Sequence, residues 1–160
     1  MPRDTKRSDP KKFTEKSILE SLFSAPIVLV SYDGEVVVEE KIEVMDYEHK
    51  IDNQEPTDKL NILFAFSLPA YEVVKEGIKF NESVGSLQLK PIRKVKRRPF
   101  VVSEYSYKLG NDKDVRIMMR SGHLLSGNQI DCMRYNLFLE IKGAPVLVYK
   151  HGILQYSAES

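Results

Sequence analysis

The chain has 160 residues, of which 24 are lysine or arginine and 23 are aspartate or glutamate, so its formal net charge is +1. A charge this close to zero excludes a protein that coats nucleic acid indiscriminately, and an anionic partner would have to bind at a local basic patch. No apolar run approaches the length of a membrane span, and the polar, basic N-terminus lacks the apolar region of a signal peptide. We therefore expect a cytoplasmic protein with no membrane partner.

The first segment of the chain predicts a tail and one helix. Residues 1–12 are polar and basic, and Ser8-Asp9-Pro10 has the composition of a helix start. The helix that follows has a single apolar stripe, formed by Ile18, Leu19, Leu22 and Phe23. We expect this stripe to lie on a sheet.

From Pro26 onward, β-branched residues accumulate in short runs that are separated by turn signals, a pattern typical of strands. The first predicted unit, residues 13–89, has a hairpin signal at Asp33-Gly34. Its polar segment 48–59 has the composition of an inserted surface loop. The strands predicted in this unit are residues 27–32, 35–45, 61–67, 71–74 and 78–80.

A basic segment, residues 90–106, separates this unit from a second one at residues 107–160. Its run Lys90–Pro99 holds six cations and no acid, a pattern that fits either a solvated linker or a nucleic-acid contact. Phe100–Tyr107 alternates weakly and could form an additional strand. The strands predicted in the second unit are residues 115–120, 124–133, 136–141, 146–149 and 153–156.

The two units share a pattern that indicates a tandem repeat. The stretch Val146–Ile153 resembles Tyr71–Ile78 at an offset of 75 residues, and Tyr135–Ile141 resembles Leu60–Phe66 at the same offset. Few positions are identical, so a single small β-barrel without a true repeat remains the alternative. Either arrangement is mainly β, since short strands with frequent turns favour a bent sheet or barrel.

The sequence carries no pattern of catalytic or metal-binding chemistry. Three scattered histidines and the single cysteine, Cys132, have no metal-ligand spacing. A glycine-rich phosphate loop and a serine–histidine–aspartate signature are both missing from the sequence. We expect neither an enzyme nor a cofactor.

The second unit resembles the Hfq family of Sm-like RNA chaperones. The resemblance rests on Val115-Arg-Ile at its start, on Gly122 and Gly127 at the family's spacing, and on Tyr149-Lys150-His151, which matches the family's second signature. It implies that each unit is an SH3-type barrel, a strongly bent five-stranded antiparallel sheet, with one N-terminal helix. Family members close into rings of six units, so a tandem chain implies a trimer that forms a pseudo-hexameric ring.

The resemblance also implies a site for single-stranded, uridine-rich RNA. In the second unit it places Lys150 and His151 at the phosphates and sugars, and Tyr135, next to Arg134, against a base. In the first unit the matching positions are Tyr47 and Lys75. The residues alone leave other roles open, because His151 fits a strand-end histidine bonded to a backbone carbonyl, and both tyrosines fit core or interface positions.

Two departures from the family pattern favour a different class of function. Glu76 stands where the family has the histidine, and Asp46 stands where it has a polar amide. Carboxylates at these places would repel phosphate. The alternative is therefore an Sm-like structural or protein-interaction oligomer that does not bind RNA.

Overall fold

The fold is taken from a computed structural model that describes residues 14–22, 26–39, 42–44, 48–51, 57–90 and 100–159. Over these ranges the chain is mainly β, as the sequence predicts, with α-helices of at most six residues. The strands are β1 (Ile27–Ser31), β2 (Gly34–Val38), β3 (Ile42–Val44), β4 (Glu48–Ile51), β5 (Thr57–Asp58), β6 (Ile62–Ser67), β7 (Ile78–Phe80), β8 (Asp114–Met119), β9 (His123–Cys132), β10 (Asn136–Ile141), β11 (Ala144–Tyr149) and β12 (Ile153–Ala158). The helices are α1 (Glu15–Ser17), which continues as a π-helix over Ile18–Leu22, α2 (Tyr71–Glu76), α3 (Glu82–Gly85) and α4 (Glu104–Lys108). Within these ranges, no helix has both the length and the apolar character that crossing a membrane requires.

Nine strands form one antiparallel sheet with the order β12-β8-β9-β10-β11-β6-β1-β2, and β7 pairs with the start of β9 beside this path. The remaining strands form a small sheet, β3-β4-β5. The large sheet joins both halves of the chain, because β6 pairs with β1 on one side and with β11 on the other. All six residues of β6 are buried, as expected for a central strand that is covered on both faces.

The long strand β9 joins two parts of the large sheet. It pairs with β8 over its first half and with β10 over its second half, and its register with β10 shifts near Ile130. Gly127 lies three residues before this shift and pairs with Val115 of β8. A Cβ atom at this position would stand 2.5 Å from the carbonyl oxygen of Glu140, so only glycine permits this close approach.

Apolar side chains fill both faces of the sheet. One face holds the larger core, which includes Phe64 and Phe66 of β6, Val74 of α2 and Tyr107 of α4. The other face is covered by the π-helix and the small sheet, whose buried members are Ile18, Leu19, Ile42 and Ile51. Burial of each such side chain contributes about 1.5–3 kcal/mol to folding. Ile18 and Leu19, two of the four residues of the predicted apolar stripe, lie on a sheet as predicted.

A buried polar cluster joins α1 and the small sheet to the large sheet. Glu15 Oε1 accepts from Lys59 Nζ at 2.7 Å, and its Oε2 accepts from the Tyr149 hydroxyl at 2.8 Å. His49 Nε2 lies 2.7 Å from that hydroxyl and 3.0 Å from the same carboxylate oxygen. Because the hydroxyl donates to Glu15, its oxygen is left to accept the Nε2 proton of His49.

Helix α1 begins with a reciprocal cap. The Thr14 hydroxyl accepts from the Ser17 amide, and the Ser17 hydroxyl accepts from the Thr14 amide. The helix start predicted at Ser8–Pro10 and the basic tail lie outside the described residues.

The strand predicted at residues 71–74 is wrong, because these residues begin α2. Leu68–Ala70 form a 3₁₀ turn that contains Pro69, whose fixed φ favours a helical start. In the helix, Val74 enters the core while Val73 faces outward. The two units therefore differ where Tyr71–Ile78 and Val146–Ile153 were matched.

Three further predictions of local structure are corrected. The strand predicted at 35–45 is two strands of different sheets, β2 and β3, separated by the charged residues 39–41. The loop predicted at 48–59 contains β4 and β5, and its alternation buries His49 and Ile51 on one side. The segment 100–107 contains no strand, since the Ser103 hydroxyl accepts from the Ser106 amide and caps α4.

Candidate nucleic-acid interface

The turn between β9 and β10 carries two of the predicted site residues on the surface. The Met133 amide donates to the Asn136 carbonyl and closes the turn. Arg134 is exposed, and Tyr135 is 48% exposed. The guanidinium carbon of Arg134 lies 5.3 Å from the centre of the Tyr135 ring, within the range of a cation–π contact.

The ring of Tyr135 is held on one side by Phe100. The two rings meet edge to face, with centres 6.4 Å apart, a preferred geometry for aromatic pairs. Tyr135 is thus fixed without being covered. Among the described residues, Arg134 has no carboxylate partner.

Lys150 lies beneath this turn and contacts its backbone. Its backbone amide donates to the Tyr135 carbonyl at 2.9 Å, and its Nζ donates to the Arg134 carbonyl at 3.1 Å. The residue is only 1% exposed, and Nζ lies 4.7 Å from the centre of the Tyr107 ring. The ammonium group is therefore enclosed by the protein and supports the backbone of the turn from beneath.

Burial lowers the pKa of Lys150, and attraction to Cys132 and Glu104 offsets only part of that effect. Burial likewise raises the pKa of the Cys132 thiol, against a smaller lowering by the charge of Lys150. Desolvation disfavours the charged form of each group. The lysine that holds the turn is therefore buried at a cost in desolvation free energy.

His151 faces the interior in the short 3₁₀ turn between β11 and β12. Its Nε2 lies 2.8 Å from the Ile62 carbonyl oxygen, to which it donates. Burial lowers its pKa, against smaller opposing effects from the carbonyl groups of Ile62 and Lys59. His151 therefore takes the backbone-bonded arrangement that the sequence left open, and it links this turn to the start of β6.

Lys75 is not brought to the β9–β10 turn. Lys75 lies on α2, where its Nζ forms a 2.7 Å ion pair with Glu35 of β2. Burial lowers its pKa, but the hydrogen bond and charge of Glu35 outweigh burial, so that the pKa is raised. The Tyr71 hydroxyl donates to the same carboxylate at 3.0 Å. Tyr47 lies outside the described residues, as does the run of cations at 91–99.

Two residues of the site, Phe100 and Tyr107, were not identified from the sequence. Phe100 supports the exposed ring of Tyr135, and Tyr107 lies under the ammonium group of Lys150. Both belong to the segment 100–107, whose alternation suggested a strand. The sequence signal for their role is weak: Phe100 follows directly on a basic run, and Tyr107 stands seven residues later.

Comparison of the chain with protein-family models, with curated proteins and with solved structures finds no match. A function is therefore assigned from the geometry of the site.

Proposed function

We propose that the protein binds single-stranded RNA through the ring of Tyr135 and the guanidinium group of Arg134. The observation that carries the proposal is a half-exposed aromatic ring beside an arginine that has no carboxylate partner among the described residues. Both lie on a turn whose two carbonyls are held by one buried lysine. Aromatic faces stack on any base, and arginine both stacks on bases and binds phosphate. The chemistry fits a single strand, whose bases are free to leave their own stack.

The turn is suited to binding because it is held in place before a ligand arrives. Lys150 fixes the backbone of both contact residues, and Phe100 fixes the Tyr135 ring. A ligand then bears little of the cost of ordering these groups. In this proposal Lys150 serves RNA binding indirectly, and His151 serves by anchoring the neighbouring turn on β6.

We further propose that the protein self-associates as an Sm-like oligomer. Strands β8–β12 form a continuous antiparallel group in which the last strand, β12, returns to pair with β8. The resemblance to the Hfq family implies that such units pair through the fourth strand of one unit and the fifth strand of the next. Here the fourth strand of the group, β11, already pairs with β6 of the same chain. Among the described residues, the strands at the two ends of the large sheet are β2 and β12, and we propose these as the edges for assembly.

The test of RNA binding is fluorescence anisotropy with labelled oligo-uridine and oligo-adenine at about 50 mM and about 200 mM salt. We expect Tyr135→Ala to weaken binding by about 5- to 140-fold, since stacking is worth about 1–3 kcal/mol per base. Arg134→Ala is expected to reduce the slope of log affinity against log salt by about 1. Preference for uridine would match the family that the second unit resembles.

Two exposed residues serve as matched controls. Tyr105 on α4 is 72% exposed, and Arg116 on β8 is exposed as well. Alanine at either position is expected to leave the affinity unchanged. If Tyr135→Ala and Tyr105→Ala had the same effect, the turn would not be the contact surface.

A second candidate function, a protein-interaction oligomer without RNA, is favoured by one observation. Val36 and Val37 on the edge strand β2 are each 42% exposed, and they point to opposite faces of the strand. An edge strand that is apolar on both faces is a site for pairing with another chain. A stable oligomer that binds neither oligonucleotide at low salt would favour this function over the first.

A further inference from the structure

A second exposed aromatic ring lies away from the β9–β10 turn. Phe80 is the last residue of β7, is paired with His123 at the start of β9, and is 56% exposed. Large apolar side chains are scattered singly on most surfaces. Phe80 differs from such a side chain because the surrounding backbone is shaped to hold its ring.

Two glycines allow the backbone to approach this ring closely. A Cβ atom at Gly85 would stand 2.7 Å from Phe80 Cζ, and one at Gly122 would stand 3.1 Å from Phe80 Cε1. Gly122 also has a φ of +104°, a conformation that other residues rarely adopt. The ring therefore lies against bare backbone on one side while its other side faces outward.

The imidazole of His123 fixes the ring from a third direction. The two rings meet edge to face with centres 5.4 Å apart. The Ser121 hydroxyl lies 2.7 Å from His123 Nδ1 and holds the imidazole in turn. Phe80 is thus restrained by three neighbours, Gly85, Gly122 and His123.

The turn between β8 and β9, which contains Gly122, also carries a cation, Arg120. Arg120 stands two residues before Gly122, and its Nε donates to the Lys90 carbonyl. It has no carboxylate partner in the part of the chain that the structure describes. The other nearby cation, Lys75, is neutralised by Glu35.

We propose that Phe80 and Arg120 form a second position for a base and its phosphate on single-stranded RNA. This inference rests on the proposed function, because it assigns the same ligand to a second surface. The β8–β9 turn thus carries an arginine two residues before the glycine that contacts a restrained aromatic ring, and the β9–β10 turn carries the similar pair Arg134 and Tyr135. Such a pair suits a stacked base, which needs a flat face, and a phosphate, which needs a cation.

Strand β9 connects the two positions. Phe80 is paired with the first residue of β9, and Tyr135 follows its last residue by three positions. A ten-residue strand has a contour of roughly 30 Å at about 3.3 Å per residue. One strand of RNA that reaches both rings must therefore be several nucleotides long.

The experiment measures the affinity of labelled oligo-uridine of about 16 nucleotides, the upper end of common site sizes, at low salt. The variants are Phe80→Leu, Phe80→Tyr and Tyr135→Ala, with Tyr105→Leu as the control, and the melting temperature of each is recorded. We expect Phe80→Leu to lose about 5- to 140-fold in affinity, and Phe80→Tyr to keep the wild-type value, because stacking needs a ring. Equal affinity of the leucine and wild-type proteins would overturn the inference.

The outcomes separate this inference from the proposed function. Loss of affinity in Tyr135→Ala together with wild-type affinity in Phe80→Leu would overturn the second position and leave the first. The reverse pattern would support the second position and refute the assignment of the β9–β10 turn. A wild-type protein that binds no RNA at low salt would overturn both.

Discussion

Replacing Glu15 with glutamine tests whether the buried polar cluster holds α1 and the small sheet to the large sheet. Burial raises the pKa of Glu15, but hydrogen bonds and attraction from His49 and Lys59 outweigh burial and lower the pKa from 4.5 to about 2. A carboxylate whose pKa is lowered in the folded state stabilises the protein above its unfolded pKa, and that stability is lost as the pH falls through the folded value. Lowering the pKa of this carboxyl from 4.5 to about 2 corresponds to about 3 kcal/mol at pH 7.

Urea denaturation at pH 7 and at pH 3 measures this contribution. At pH 7 we expect Glu15→Gln to lower the free energy of unfolding by about 3 kcal/mol, since glutamine keeps the shape but loses the charge. At pH 3, one unit above the folded pKa, about 1.4 kcal/mol of the ionisation effect remains. The gap between wild type and variant should therefore shrink by about 2 kcal/mol.

The matched control is Glu104→Gln. Glu104 lies on α4 and forms an exposed ion pair with Lys108 at 3.5 Å, and such pairs contribute less than about 1 kcal/mol. The cluster as described would be refuted if the difference in free energy of unfolding between wild type and Glu15→Gln were the same at both pH values. A difference as small as that of the control would refute it as well.

Three further predictions concern stability and assembly. Burial lowers the pKa of Lys150 in the folded state below 10.5, so the wild-type free energy of unfolding rises between pH 7 and pH 10. Lys150→Met lacks this rise and should therefore become less stable relative to wild type over that range. If urea unfolding gave parallel curves of free energy against pH for the two proteins, the prediction would be contradicted. Gly127→Ala should lower the free energy of unfolding by about 1–3 kcal/mol, because its Cβ meets the Glu140 carbonyl, and an unchanged denaturation midpoint would show that β9 does not need this close approach. Val37→Lys should shift a self-associated protein toward monomer in sedimentation velocity, since a charge on an edge strand opposes pairing, whereas an unchanged distribution would place the interface elsewhere.

Most strands could be predicted from the sequence, because short β-branched runs between turn signals indicate strands without knowledge of their partners. The strand at 136–141 was predicted with its observed bounds. The error at Tyr71–Val74 has a physical cause: two adjacent valines suit a strand, but the preceding proline turn starts a helix whose period buries Val74 alone. Local propensity was overridden by the core.

The site was predictable only in part. Tyr135 and Arg134 stand together on the surface turn, whereas Lys150 and His151 lie beneath it, because burial depends on distant elements. The hydrogen bond of His151 to Ile62 spans 89 positions of the chain, and that between His49 and Tyr149 spans 100. Contacts of that range leave no periodic pattern from which a single sequence reveals them.

The pairing of β6 with β11 has a consequence for synthesis. Phe66 is opposite Val146, so 146 − 66 = 80 residues must be translated before this pair can form. At about 5–20 residues per second the delay is about 4–16 s, during which an apolar strand has one edge without its final neighbour. Nascent chains that stop short of β11 should therefore hold this edge open to chaperones and to one another, and the newly made protein is most prone to aggregate in that interval.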